Sequence, residues 1–342
     1  MSNEVKIGII GLGMVGDPIR KWFEENLGYK RGKNLFCYDT DPKKGYSDDF
    51  NKADIIFIAV PTPSNPDGSC NLSIVENVMG VIQDGKIVVI KSTIVPGTVE
   101  RLQKKHNKKR IIFNPEFLTE AQSWIDFISP DRQIVAPTIK SAQDAYEVLS
   151  LLPKKHFIRP WSSDYTKKSV NASEAELGKY ASNIFGYIKV VFGNILADVC
   201  EALSLKLENE GIKAKVDYEN IRDIISADLR IGPAWLNVEH GDYCGAGGYC
   251  FPKDMDAFIR WGEDLIDYLE KDSPVKSKDK SKKTKVDLRL IKILKKGIAV
   301  LKAVKAYNEE LIKCQGLTME EVKKHDKEIV VNKRKPIRKS RK

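Results

Sequence analysis

Cysteine pairs, histidine and long apolar runs are all scarce in this 342-residue chain, and each scarcity removes a class of protein. Six cysteines, at 37, 70, 200, 244, 250 and 314, stand apart with no CxxC pair, which excludes a disulfide scaffold and points to a reducing, cytoplasmic compartment. The four histidines have no zinc-ligand spacing, so no metal is expected. No apolar run approaches the length of a membrane span. Met1 to Lys6 is short and polar and runs straight into an apolar strand, so no leader is expected either. No internal repeat is visible. What is present is 42% apolar content in a chain long enough for one large core or two ordinary ones.

The net charge of +10 resembles a nucleic-acid footprint until it is placed along the chain. Residues 271–285 carry +5 and residues 333–342 carry +7, two more than the whole, so the remaining body carries about −2. Both runs are rich in Lys and Ser and poor in apolar residues, the composition of solvated, disordered chain. A polyanion contact or a nuclear address is open for the tail, but a solubilising role is the simpler reading, and nucleic acid is not the expected partner.

Val5 to Ile10 reads as an apolar strand running into Gly11, Leu12, Gly13, Met14, Val15 and Gly16, then a helix to about Leu27. In this setting Gly11 permits a tight turn, Gly13 lets a pyrophosphate approach the backbone and Gly16 lets the helix pack on the strand. The next strand, Asn34 to Tyr38, ends at Asp39, where a carboxylate accepts ribose hydroxyls and disfavours a 2′-phosphate. NAD is therefore expected over NADP, although Lys44, five residues on, could accept that phosphate. Further strands at 54–60, 85–90 and 110–113 end in the turns Pro61-Thr62-Pro63, Lys91-Ser92-Thr93 and Asn114 to Glu120. All lie at strand C-terminal ends, the ligand edge of an open α/β sheet. Taken singly, each Thr or Glu is equally a helix cap. From Ser173 to Lys206 apolar spacing predicts one long helix, with Lys179 and Asn183 a turn apart on one face.

The stretch Gly241 to Asp254 concentrates reactive groups behind glycines. Cys250 is the candidate nucleophile, Lys253 a cation that favours its thiolate, and Asp254 a carboxylate that could orient a water. Gly245, Gly247 and Gly248 suit a backbone close to a ligand or at positive φ, and Pro252 stiffens the turn. A buried structural cysteine in a glycine turn is the plainer alternative.

These landmarks, with Arg230-Ile231-Gly232, stand in an order that resembles the nucleotide-sugar (UDP-glucose/GDP-mannose) dehydrogenases over roughly residues 4–316. The resemblance implies an α/β, Rossmann-type doubly wound parallel sheet over 1–172 and a long-helix central dimerisation domain over 173–315, with a basic tail from 316. It implies a four-electron, NAD-dependent oxidation of a sugar C6 alcohol to the carboxylate. Cys250 would form a thiohemiacetal and then a thioester, Lys179 and Asn183 would stabilise the oxyanion, and Asp254 and Thr93 would hold the hydrolytic water. Glu116 would be the general acid/base, with Glu120 beside nicotinamide and sugar. Gly11 to Gly16, Asp39, Lys44, Thr62, Ser92, Thr93, Glu120 and Lys253 would face the cofactor. Glu116, Phe117, Leu118, Glu120, Lys179, Asn183 and Gly247 would face the nucleotide sugar, and Arg230 would reach a neighbouring subunit's substrate in a homodimer.

Three departures accompany the resemblance. The family's second α/β domain, which covers the nucleotide, is not expected here, so a separate polypeptide supplying it is one possibility. Ala246 stands where an aromatic is usual, and 271–285 resembles an insertion. UDP-glucose is the expected substrate, while GDP-mannose, a UDP-N-acetylhexosamine and a non-catalytic NAD-binding subunit remain open.

Overall fold

A computed structural model describes residues 5–154, 157–158, 170–271 and 288–324. The basic run 333–342, and the Lys-rich stretch beyond Lys271, lie outside the described residues. Two compact units emerge. The first holds the described residues up to Asn65 and Cys70–Tyr180; the second holds Pro66–Ser69 and the described residues from Ala181 onward.

In the first unit, strand β1 (Ile7–Ile10) leads to helix α1 (Gly16–Lys21), which a π-turn over Trp22–Asn26 prolongs, and then to β2 (Leu35–Tyr38). Next come β3 (Ile55–Ile58), α2 (Ser73–Val81), β4 (Ile87–Ile90), α3 (Thr98–Lys105) and β5 (Arg110–Phe113). The expected strands are all present, the first four trimmed to their most apolar core and the fifth at its expected bounds. Between 121 and 171, where sequence pattern assigns nothing, lie α4 (Ser123–Ile128), β6 (Gln133–Ile134), β7 (Ala136–Pro137), α5 (Ala145–Leu151) and β8 (Phe157–Ile158). These elements are short, the strands only two residues each, too brief for any periodicity to register.

The main sheet runs in the order β2-β1-β3-β4-β5-β7, its first five strands parallel and β7 antiparallel at the edge. Register is regular: Ile7 pairs with Leu35 on one side and Ile55 on the other. Successive side chains alternate between two cores, as a pleat demands. Ile7, Ile9, Ile55, Phe57, Ile87 and Val89 face one; Ile10, Ile56, Ile58, Val88 and Ile90 face the other. Burial on both faces explains why these strands are continuously apolar rather than alternating. Chain order reverses between β1 and β3, which puts the glycine turn at the topological switch point.

Helix α6 (Ala172–Asn209) passes from the first unit into the second. The second unit continues with α7 (Tyr218–Ser226), a hairpin of β9 (Glu239–His240) and β10 (Tyr243–Cys244), then α8 (Cys250–Lys271), α9 (Leu288–Cys314) and α10 (Met319–Val322). Its main core joins Ile184, Tyr187 and Val191 of α6, Met255, Ile259 and Ile266 of α8, and Ile291 and Ile298 of α9. A Cβ on Gly262 would come within 2.4 Å of Ile298, so α8 and α9 pack as closely as a glycine permits.

Residues 316–324, assigned to the tail on sequence, are folded. Thr318 and Glu321 cap each other's backbone in a capping box, and Leu317 and Val322 are buried with Tyr243 and Ile312. Three apolar residues, Leu317, Met319 and Val322, at uneven spacing amid charge leave no periodic signal, which is why composition alone missed them.

Phe57, fully buried in β3 with its ring 5.8 Å from that of Phe23, tests the first core. Phe57→Ala is expected to lower unfolding free energy by about 3–5 kcal/mol in urea titrations that follow tryptophan fluorescence.

Candidate active site

The glycine turn of the first unit owes its composition to two different constraints. Gly11 has φ +89°, and a Cβ there would lie 2.5 Å from the Ala59 carbonyl oxygen; a Cβ on Gly16 would fall 1.7 Å from that of Gly11. Both glycines are required by the protein's own packing. Gly13 is different: nothing lies within 4 Å of where its Cβ would be. That open approach to bare backbone, in a turn at the switch point, fits a dinucleotide's diphosphate. Leu12 is buried, and Met14 and Val15 are half-buried.

Asp39 locks this turn. One carboxylate oxygen accepts the Leu12 N–H at 2.7 Å and the Lys44 ammonium at 2.8 Å, and the other accepts the Asp41 N–H at 2.9 Å. Burial works against its charge, but the hydrogen bonds from Lys44, Asp41 and Leu12 outweigh burial and hold the carboxyl below its ordinary range. Lys44 is thus tied to Asp39 rather than presented alone.

At the ends of β3 and β4, hydroxyls knit two turns together. Thr62 Oγ1 donates to the Thr93 carbonyl and Ser92 Oγ to that of Val60, both at 2.7 Å. Thr62 and Ser92 are buried and Thr93 half-buried.

The turn after β5 carries an ion pair buried on both sides. Glu116 and Lys179 are both buried, 3.0 Å apart, and Glu116 Oε2 also accepts the Leu118 N–H at 2.8 Å. Phe117 lies under two cations, Arg132 at 3.7 Å and Lys179 at 5.3 Å from the ring centre. Glu120 is half-buried.

Two buried groups here escaped the sequence reading. Lys91 donates to Asn114 Oδ1 at 2.7 Å, while the Asn114 amide donates to Gln133 and to the Ile134 carbonyl. Burial pushes its ammonium down to about 8, Lys179 adding to the shift and Glu116 opposing it. Its signal was a lysine closing an otherwise apolar strand. Glu176, fully buried three residues before Lys179, accepts the Gly97 N–H at 2.5 Å and the Val99 N–H at 2.8 Å, so it caps α3 from another helix. Sequence spacing cannot show a cap supplied from 77 residues away.

In the second unit Cys250 is the first residue of α8, a 22-residue helix. The sequence placed it in a turn; the structure puts it where a helix N-terminus favours negative charge. One helical turn on, Asp254 is almost completely buried. Its Oδ1 pairs with Lys253 Nζ at 2.6 Å and its Oδ2 accepts the Asn183 amide at 2.5 Å. Asn183, Lys253 and Asp254 are therefore one hydrogen-bonded group. The Lys253 charge is directed at Asp254. Half-buried Cys250 forms no disulfide, nor does any other cysteine.

Gly247 and Gly245 make room for protein rather than for open space. A Cβ on Gly247 would meet the Tyr243 hydroxyl at 1.9 Å, and one on Gly245 would meet Asn308 at 2.9 Å. Ala246 is buried in the main core of this unit. Arg230 is 90% exposed and forms a close pair with Asp228, two residues before it. Among the described residues no helix is long and apolar enough to cross a membrane.

Comparison with known proteins places the chain in a family. Sequence profiles of the UDP-glucose/GDP-mannose dehydrogenase family match the chain twice, the NAD binding domain over residues 43–150 and the central domain over 173–269. The chain belongs to this family, and its first unit carries the family's NAD-binding domain. A UDP-glucose 6-dehydrogenase of Pseudomonas aeruginosa is 32% identical over 226 residues, covering 62% of this chain and 45% of the relative. One from Haloferax volcanii is 33% identical over 229 residues, covering 62% and 49%. The chain thus spans about half the length of these relatives. A UDP-glucose dehydrogenase structure from Pyrobaculum islandicum superposes with TM-score 0.66 at 26% identity, covering 92% of this chain and 70% of that one. The fold is shared with a UDP-D-ManNAc dehydrogenase of Pyrococcus horikoshii, at TM-score 0.58 and 19% identity over 88% and 70% of the two chains.

Burial is the largest influence on the Glu176 carboxyl and pushes it up to about 7 against its N–H bonds. The folded protein then keeps this proton to near pH 7, whereas the unfolded chain releases it at its ordinary value. The group's contribution to stability is full below that ordinary value and is lost as pH rises through about 7. Glu176→Gln removes this slope. The melting temperature of the variant minus that of wild type is expected to rise from pH 4.5 to 7 and flatten above, in calorimetric scans across that range.

Proposed function

We propose that this protein oxidises the C6 primary alcohol of a nucleotide sugar to the carboxylate, with UDP-glucose as substrate and NAD⁺ as oxidant. One observation carries the reading: Cys250 opens a helix whose next turn presents Asp254, held by Lys253 and Asn183. A dinucleotide-binding protein that stopped at one oxidation would need no such group. Its family membership and the UDP-glucose 6-dehydrogenases among its relatives support the same reading.

NAD⁺, when bound, accepts one hydride in each of two oxidations. The chain's own residues do the rest. Glu116, paired with Lys179, receives the C6 hydroxyl proton as the alcohol becomes an aldehyde. The Cys250 sulfur then adds to the aldehyde carbon, and Lys179 and Asn183 stabilise the oxygen on which charge develops. Loss of the second hydride leaves a thioester. A water held by Asp254 and Thr93 attacks it, the carbon–sulfur bond breaks, and the products are the carboxylate and the regenerated thiolate, with the two protons of the water released to solvent. The covalent step is what keeps the aldehyde level in place for the second oxidation.

Homodimerisation through α6 completes the reading. Phe185, Phe192 and Val199 recur every seven residues on that helix and are 60%, 50% and 55% exposed, the spacing of a helix-packing seam. Arg230, exposed in the single chain, is then available to a second copy's substrate. A reducing cytoplasmic setting suits a thiolate nucleophile.

NADH absorbance with limiting nucleotide sugar and excess NAD⁺ tests the activity. Two NADH per UDP-glucose are expected; a single NADH per sugar, or turnover only with GDP-mannose or a UDP-N-acetylhexosamine, would replace the substrate or the mechanism. Cys250→Ala is expected to cut turnover by about three orders of magnitude or more with NAD affinity unchanged by calorimetry. Phe192→Glu is expected to convert the dimer to monomer in light scattering after gel filtration, and an unchanged mass would move the interface off this face.

A further inference from the structure

The loop that delivers Cys250 has an unusual set of backbone partners. Cys244 donates its N–H to Gln315 Oε1 at 2.7 Å, and its carbonyl accepts from Gln315 Nε2 at 2.9 Å. Ala246 does the same with Asn308: N–H to Oδ1 at 2.7 Å, carbonyl from Nδ2 at 2.9 Å. Gly248 donates its N–H to the Val322 carbonyl at 2.8 Å. Every second residue of the loop is thus bonded from one side, as a neighbouring strand would bond it. Here two primary amides, each offering a donor and an acceptor in one plane, take the strand's place.

The clamp matters because two of the loop's residues are glycines in left-handed conformations. Gly245 and Gly248 sit at φ +112° and +75°, a region glycine enters freely and leaves as freely. Asn308 is fully buried, and the missing side chain at Gly245 lets its amide reach the peptide. The same segment is pinned to the helix Cys250 begins: Lys305 and Lys323 both pair with Asp256 of α8, at 2.7 and 2.8 Å. Cys250 follows Gly248 by two residues, so the conformation imposed at 244–248 fixes where its sulfur points.

We infer that Asn308 and Gln315 are positioning residues for Cys250, setting the approach of its sulfur through the loop peptides they hold. This rests on the reading of Cys250 as nucleophile. Neither residue touches substrate or cofactor in this account; they act through the backbone. Misplacing a nucleophile by about 1 Å costs on the order of 100-fold in rate.

The test uses Asn308→Asp, which keeps size and replaces the donor facing the Ala246 carbonyl with an oxygen, and Gln315→Leu, which removes both bonds at a half-buried position. Two readouts are taken on full-length protein. One is the rate of Cys250 alkylation by iodoacetamide without substrate, followed by peptide mass spectrometry; the other is kcat and KM for NADH formation. The expected result is a change in alkylation rate of about fivefold or more and a fall in kcat of about 10- to 100-fold, with KM for UDP-glucose and Kd for NAD⁺ within about threefold. Should the buried charge of Asn308→Asp unfold the protein, Gln315→Leu decides. Wild-type alkylation and kcat in a folded Gln315→Leu would overturn the inference, as would a kcat loss no larger than the loss of folded protein. If wild type forms no NADH, the catalytic reading fails by itself; a changed alkylation rate would still report the clamp on the loop.

Discussion

One uninterrupted helix is the constraint that several polar contacts of the fold share. Over the 38 residues of α6, Glu176, Lys179 and Asn183 fall at intervals of three and four, so all three leave the helix within two turns of one another. Each is claimed by a different partner: Glu176 by the backbone N–H groups opening α3, Lys179 by Glu116, Asn183 by Asp254. A proline or a kink in this stretch would uncouple three sites at once. Gly186, a turn further, has no side chain because Phe251 and Trp235 fill that space.

Buried charge is the second recurring constraint. Glu116, Lys179, Lys91, Lys253 and Asp254 are all removed from water, and each has a partner of opposite charge or a hydrogen-bonding group. An isolated charge in such places is too costly to persist, so removal of one partner strands the other. The same logic applies to the peptides around Cys250, which are satisfied by side-chain amides instead of water.

Several features were legible in the residues alone. The strand cores, the glycine turn, Asp39 and the long helix all announce themselves by periodicity or by local company, and they stand where pattern put them. The pairing of Lys179 with Glu116, and of Asn183 with Asp254, was not legible in the sequence, where the resemblance gave these residues only separate roles. Other features left no local trace. Cys250 reads as a turn residue because glycine and proline surround it, yet Pro252 is compatible with the first turn of a helix and α8 begins at the cysteine itself. Leu317, Met319 and Val322 looked like part of a charged tail, because three apolar residues at uneven spacing carry no period. The glycines of the Cys250 loop looked like room for a ligand or for positive φ; Gly245 and Gly248 do take positive φ, and Gly245 and Gly247 are close approaches to Asn308 and Tyr243.

Sequence by itself determined the alternation that sends Ile55 and Phe57 to one core and Ile56 and Ile58 to the other, and the order of reactive residues along the chain. Both are local properties, settled by side-chain chemistry and the pitch of strand or helix. Tertiary structure alone decided which donors meet which acceptors. Gln315 reaches Cys244 across 71 residues, Glu176 reaches Val99 across 77, and Asn308 reaches Ala246 across 62. Partners so far apart are chosen by how the cores close, since a buried polar group accepts whichever complementary group packing brings within hydrogen-bond distance.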